Sequence, residues 1–160
     1  MNKTFALVAI TTALVATPVM AGNSFTGVRA EVTAGFDDVT GERDLNNVTY
    51  GIGVGVDAEV YPRVIVGAEA TLDNVFDRRN IGAGARLGYT FGDRVLVYTK
   101  AGWANFQPVP GGVKLDGFRV GGGVESRVVG NIYAKAEYRY TDFASGVGQH
   151  AGLAGIGFRF

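Results

Sequence analysis

Cysteine is absent from all 160 residues, which excludes disulfides, thiolate metal sites and thiol catalysis. A single histidine, His150, leaves little material for acid–base chemistry or metal binding. Neither sign of charge predominates: 15 basic and 15 acidic side chains give a formal net charge of zero. Nothing in that balance points to nucleic acid. No segment holds the ~18 consecutive apolar residues that a membrane-crossing helix requires. Glycine, by contrast, is abundant, with 25 residues, about twice the roughly 7% of an average protein. No three-residue period accompanies it, so the chain is not collagen-like, and 47% hydrophobic residues are too many for a disordered chain.

The first residues read as a targeting segment. Met1-Asn2-Lys3 is a short basic start, Thr4 to Val15 is uncharged and apolar, and Pro18 ends any helix. Val19-Met20-Ala21 then offers a cleavage site before Gly22. The expected organisation is a cleaved signal peptide over 1–21 and one domain over 22–160, exported across an inner membrane.

From there on the sequence alternates with period two, the signature of strands. Between Val48 and Ala58 the even positions are Val, Tyr, Ile, Val, Val and Ala, and the odd ones are Thr, Gly or Asp. No helix tolerates that glycine density. The same split predicts strands over Thr26–Phe36, Val64–Asp73, Ile81–Phe91, Val95–Asn105, Phe118–Val128, Ile132–Tyr140 and Ala151–Phe160. The face assignment is least clean in Val95–Asn105, where both parities carry apolar residues. The connections alternate too. Asp37–Asn47, Asn74–Asn80, Gln107–Gly117 and Asp142–Gln149 are mostly long and polar, whereas Glu59–Arg63, Gly92-Asp93 and Val129–Asn131 are short turns.

Eight strands with long loops at one end and short turns at the other fit an eight-stranded antiparallel up-and-down transmembrane β-barrel. The distribution of side chains agrees. Glycines concentrate on the charged face, where a narrow eight-stranded interior needs room for long side chains; on a solvated surface they would only weaken the strands. On the apolar face Phe36, Tyr50, Trp103, Phe118 and Tyr140 lie towards the long loops, and Tyr89, Phe91, Phe158 and Phe160 towards the turns. Two aromatic belts around Val, Ala, Ile and Leu match the two interfaces of a bilayer. By parity Arg29, Glu31, Asp57, Glu69, Arg86, Lys100, Arg119, Glu125, Arg127, Lys135, Glu137, Arg139 and Arg159 point into the lumen, eight cations against five anions. Charges so confined are expected to pair in a connected network. Such a network plugs the barrel, the favoured reading; the alternative is an ion pathway that the cationic excess would bias towards anions.

Three segments then carry a family resemblance: Val97-Tyr98-Thr99-Lys100-Ala101-Gly102-Trp103-Ala104-Asn105, Gly117 to Glu125, and Tyr133 to Phe143. With His150 and the closing Gly155-Ile156-Gly157-Phe158-Arg159-Phe160, the chain resembles the opacity-type "porin family" of small outer-membrane β-barrel proteins, related to the barrel domain of outer membrane protein A. The resemblance implies a bacterial outer-membrane location and partners in outer-membrane lipid and the outer-membrane assembly machinery. It implies that Ile156, Phe158 and Phe160 form a terminal assembly signal. It leaves the role as a structural or surface-interaction protein, or alternatively a narrow pore for ions or small solutes. A ligand of loops 37–47 and 107–117 is an open expectation. The chain stops at its last strand, so no peptidoglycan-binding domain is expected to follow.

Other constellations carry little. The runs Gly51-Ile52-Gly53-Val54-Gly55 and Gly82-Ala83-Gly84 sit within strands, whereas a dinucleotide fingerprint opens a helix. His150 with Ser145 and Asp142 is a poor candidate for a hydrolase triad. Asp37, Asp38, Glu42 and Asp44 lack the spacing of a calcium loop and read as a solvated acidic loop. No catalytic, cofactor or metal residues are assigned.

Overall fold

The structure is a computed structural model that describes residues 24–39, 47–74, 79–107, 114–143 and 146–160. The expected leader, its cleavage site, Glu42, Asp44 and Ser145 lie outside the described residues. Eight strands follow one another: β1 (Gly27–Val39), β2 (Asn47–Tyr61), β3 (Val64–Asp73), β4 (Arg79–Phe91), β5 (Val95–Gln107), β6 (Leu115–Val129), β7 (Ile132–Phe143) and β8 (Val147–Arg159). Each pairs antiparallel with its neighbours, and β8 closes on β1 in an unbroken register from Arg29 opposite Arg159 to Val39 opposite Gln149. Closure matters because hydrocarbon offers no partner to an unpaired strand edge.

Alternation decides which side faces what. Val32, Ile52, Val54, Ile156 and Val120 stand exposed on the outside, where lipid rather than water is their solvent. Arg29, Glu125, Asp57 and Arg86 are almost fully buried inside. The belt aromatics also point out: Phe36, Trp103 and Phe118 near one rim, Phe91, Phe158 and Phe160 near the other. β5 resolves in favour of Val97, Thr99, Ala101 and Trp103 outside, with Leu96, Tyr98 and Lys100 inside.

The strands run further than the sequence pattern predicts, at the end that carries the long connections. Asp37, Asn80, Thr141 and Gln149 belong to strands, and the connections shrink to residues such as 40–46 and 108–113. The reason is that the inner face is polar there. Gln149 Nε2 donates to Asp37 Oδ2 at 2.5 Å, and Asn80 Nδ2 donates to Gln149 Oε1 at 3.3 Å. With polar residues on both parities, apolar–polar alternation disappears while the ladder continues. Asp37 is thus a buried lumen residue rather than part of a solvated loop.

Lumen glycines stand close to the bulky inward side chains. A methyl group at Gly55 would lie 2.9 Å from the Arg29 guanidinium carbon, one at Gly53 would lie 2.9 Å from Glu31 Oε1, and one at Gly82 would lie 2.8 Å from Arg119 Nη1. Gly67 faces Asp57 and Gly157 faces the Tyr133 ring in the same way. Glycine at these positions leaves the volume that long side chains need inside so narrow a barrel.

Candidate functional site

Among the described residues, polar and charged groups concentrate in the lumen, where they are ordered in layers. Nearest the short turns Asp57 accepts from two arginines, Arg86 and Arg159, at 2.6 Å, and forms an ion pair with Arg29 Nε at 3.2 Å. Glu125 pairs with Arg86 and, at 2.9 Å, with Arg159. Arg29 leads upward, to Glu31 at 2.8 Å and Glu69 at 2.6 Å. In the middle layer Lys100 joins Glu69 (2.5 Å) to Glu137 (2.7 Å), and Lys135 joins Glu31 (2.6 Å) to Glu137 (3.0 Å). Arg139 binds Glu137 through Nε and reaches Asp73 at 3.1 Å. Arg119 ends the chain of pairs 3.7 Å from Asp73, held besides by Asn80 (2.9 Å) and Thr141 (3.1 Å).

Tyrosines complete the lattice. Tyr133 donates to Glu31 at 2.7 Å and Tyr98 donates to Glu137 at 2.5 Å. Below the ionic layers the filling turns apolar: Phe25, Ile65, Leu96 and Tyr98 form a buried cluster. Phe25 comes from the segment that precedes β1; its ring lies 5.7 Å from the Arg159 guanidinium, and its carbonyl accepts from Arg159 Nη1 at 2.7 Å.

Of the 13 lumen charges expected from the sequence, all but Arg127 meet in this network. Arg127 is half-buried at the turn end and donates to Ser24 Oγ at 2.7 Å. Asp73 and Asp37, both inward by parity and both buried, belong inside as well. The expected cationic excess is therefore corrected: among the described residues seven buried cations face seven buried anions. Asp73 and Asp37 escape attention because they stand beside loops, where an acid normally reads as solvated. Ile156, Phe158 and Phe160 stand on the outer face, and the Phe160 amide donates to Val28 O at 2.8 Å across the β1–β8 seam.

His150 lies on the outer face near the long-loop rim. Its Nδ1 is 2.6 Å from the Tyr138 hydroxyl, and its ring packs 4.7 Å from that of Tyr140. Asp142 points outward two residues further along β7, and Ser145 is outside the described residues. Trp103 and Asn105 donate to Asp116 on the same outer rim, at 3.4 and 2.7 Å, where an indole N–H meets the headgroup region. No group of three or more His, Asp or Glu side chains among the described residues has an arrangement suited to a metal ion.

Known proteins place this architecture. The family described as outer membrane protein beta-barrel domain matches residues 7–160. No curated protein matches the chain in sequence. Among solved structures it is similar to Ail, the attachment invasion locus protein of Yersinia pestis, at 17% identity and a TM-score of 0.59, over 84% of this chain and 97% of that one. It is similar to Neisserial surface protein A at 18% identity and a TM-score of 0.53, over 83% and 96%. The N-terminal β-barrel domain of Pseudomonas aeruginosa OprF gives 16% identity and a TM-score of 0.55, over 84% and 99%. At these identities the likeness is one of fold.

Proposed function

The chain belongs to the outer-membrane protein β-barrel domain family, and from that membership we propose that it is a closed, non-enzymatic barrel that anchors an interaction surface at the bacterial cell exterior. The observation that carries this reading is the lumen, filled from Phe25 to Asp37 by apolar, ion-paired and hydrogen-bonded side chains. Eight strands leave no aqueous channel once long side chains occupy the inside. What remains for function is the outside: the connections over 40–46 and 108–113 and the polar rim beneath them. A barrel of the same fold, Ail, is known in complex with the heparin analogue sucrose octasulfate, which supports the idea that so small a barrel can carry a ligand. The partner of the present chain would be an extracellular molecule recognised by those connections.

Single-channel recording in planar bilayers tests the closed lumen. The refolded barrel should give no steady ohmic current in molar potassium chloride. A reproducible unitary conductance whose ion selectivity shifts in Arg119→Ala or Arg139→Ala would replace the anchor by a narrow pore.

The last strand supports a second proposal, about biogenesis. Ile156, Phe158 and Phe160 form an outward row along β8 and just beyond it, and the last two rings meet edge to face at 4.9 Å. Until β8 joins β1, that row and a bare strand edge are exposed together. We propose that the assembly machinery recognises this row. Phe160→Ala, which keeps the backbone bond to Val28, should cut the amount of barrel inserted in cells while detergent refolding in vitro proceeds nearly unchanged. Equal outer-membrane yields would leave Phe160 a belt residue only.

A further inference from the structure

The outer wall of the barrel is not uniform in relief. On β3, β4 and β5 the ladder sets outward residues in cross-strand rows: Val64, Tyr89 and Val97 in one, Val66, Leu87 and Thr99 in the next, and Ala68, Ala85 and Ala101 above them. Between Leu87 and Tyr89 on β4 and Val97 and Thr99 on β5 runs a groove of about 290 Å³, with Val64 beside it on β3. Its floor is main chain, because Gly88 and Tyr98 face the lumen. Thr99 is short, so the groove opens upward onto the alanine row. From the Val64 row to that row is four residues, about 13 Å of strand, against roughly 15 Å for half of a bilayer's hydrocarbon core. The groove thus has the lining and the length to hold an acyl chain within the leaflet on the short-turn side.

The turns beneath it are charged. Arg63 immediately precedes Val64, and its carbonyl accepts from the Thr90 amide at 2.9 Å, which fixes the β2–β3 turn beside Tyr89. Asp93 and Arg94 lie in the β4–β5 turn. All three side chains are exposed, and among the described residues none of them makes an ion pair. Glu59, the other acid of these turns, accepts from the Arg63 amide at 2.7 Å. Neighbouring strands stand ~4.8 Å apart, so arginine side chains from the two turns can reach one phosphate, the group that a guanidinium fork matches best. The β6–β7 turn, Val129-Gly130-Asn131, carries no charge at all.

We propose that this part of the wall binds a single phospholipid of the phosphatidylethanolamine class from the turn-side leaflet. One acyl chain lies in the groove, the phosphate sits between Arg63 and Arg94, and the ammonium group meets Asp93. The zwitterionic headgroup follows from turn charges of both signs at the mouth of one apolar groove. This lipid differs from the bilayer around the rest of the wall in being held at a fixed place, one per barrel. The site needs neither a loop partner nor an open lumen.

The test uses the refolded barrel in detergent, mixed with equal amounts of dioleoyl phosphatidylethanolamine, phosphatidylglycerol and phosphatidylcholine, and weighs intact complexes by native mass spectrometry. Wild type should retain one phosphatidylethanolamine, favoured about 10-fold over either other lipid. Phosphatidylglycerol has no ammonium for Asp93, and the quaternary nitrogen of phosphatidylcholine has no proton to donate. Arg63→Gln combined with Arg94→Gln should cut retention about 10-fold, and Asp93→Asn should erase the preference over phosphatidylglycerol. Thr99→Phe fills the groove from the lipid side without touching the lumen and should abolish retention. Ala154→Phe, exposed on β8 across the barrel, should leave it intact. Lipid retained in no fixed ratio, without headgroup preference, or equally by wild type and Thr99→Phe would overturn the site. A two-barrel complex that Thr99→Phe abolishes would overturn it as well, by giving the groove to a second copy of the chain.

Discussion

Arg29→Ala should destabilise the folded barrel by about 3–5 kcal/mol, the cost typical of removing one partner from a buried ion pair. Arg29 is 0% exposed, and its ion pairs join the lower ionic layer to the middle one, through Asp57, Glu31 and Glu69. Its loss leaves Glu31 with Lys135, Glu69 with Lys100, and a lumen one charge short of balance. The measurement is urea unfolding of the refolded protein in detergent, with Arg127→Ala as control. Arg127 is half-buried and its guanidinium donates to the neutral Ser24, so its removal should cost no more than about 1 kcal/mol. Replacing Glu69 by Gln on top of Arg29→Ala should recover part of the loss, since the stranded charge goes with it. If Arg29→Ala unfolds at the same urea concentration as the control, the network does not hold the barrel together.

The fold was legible because two independent constraints act on every strand. Lipid demands an apolar outer face, and a narrow polar lumen favours glycine beside its long charged side chains; in β2 both appear at once, with Ile52, Val54 and Val56 outside and Gly51, Gly53 and Gly55 inside. Legibility fails where one constraint lapses. At the loop end the inner and outer faces are both polar, so Asp37, Asn80 and Gln149 look like loop although they sit in the ladder. At the turn end both faces are apolar, because the lumen below the ionic layers is filled by Ile65, Leu96 and Tyr98. That is why the parity of β5 is ambiguous in the sequence. Which carboxylate serves which cation was not legible at all: Glu31 and Lys135 are 2.6 Å apart across 104 residues of chain, and only barrel closure brings them together. Phe25 gives no signal either, since it lies ahead of the first alternating strand.

That residue separates two ways of sealing the barrel. Phe25 is 1% exposed and packs among Ile65, Leu96 and Tyr98, beneath the Arg159 guanidinium. Truncating a buried phenylalanine costs about 3–5 kcal/mol where the surroundings do not collapse, and β strands locked in a closed ladder have little freedom to collapse. Phe25→Ala should therefore lower stability by about that amount, comparable to the loss of Arg29. The main-chain carbonyl of residue 25 would still accept from Arg159, so the approach of this segment to the lumen should survive. Conductance should respond differently. Above the missing ring, Asp57, Glu125, Arg86 and Arg159 remain cross-paired, and an ion would have to break at least one of those pairs to pass. The variant should thus be as silent as the wild type in planar bilayers, despite its lower stability. A steady current appearing in Phe25→Ala alone would move the seal from the ionic layers to the apolar cluster and make Phe25 the plug.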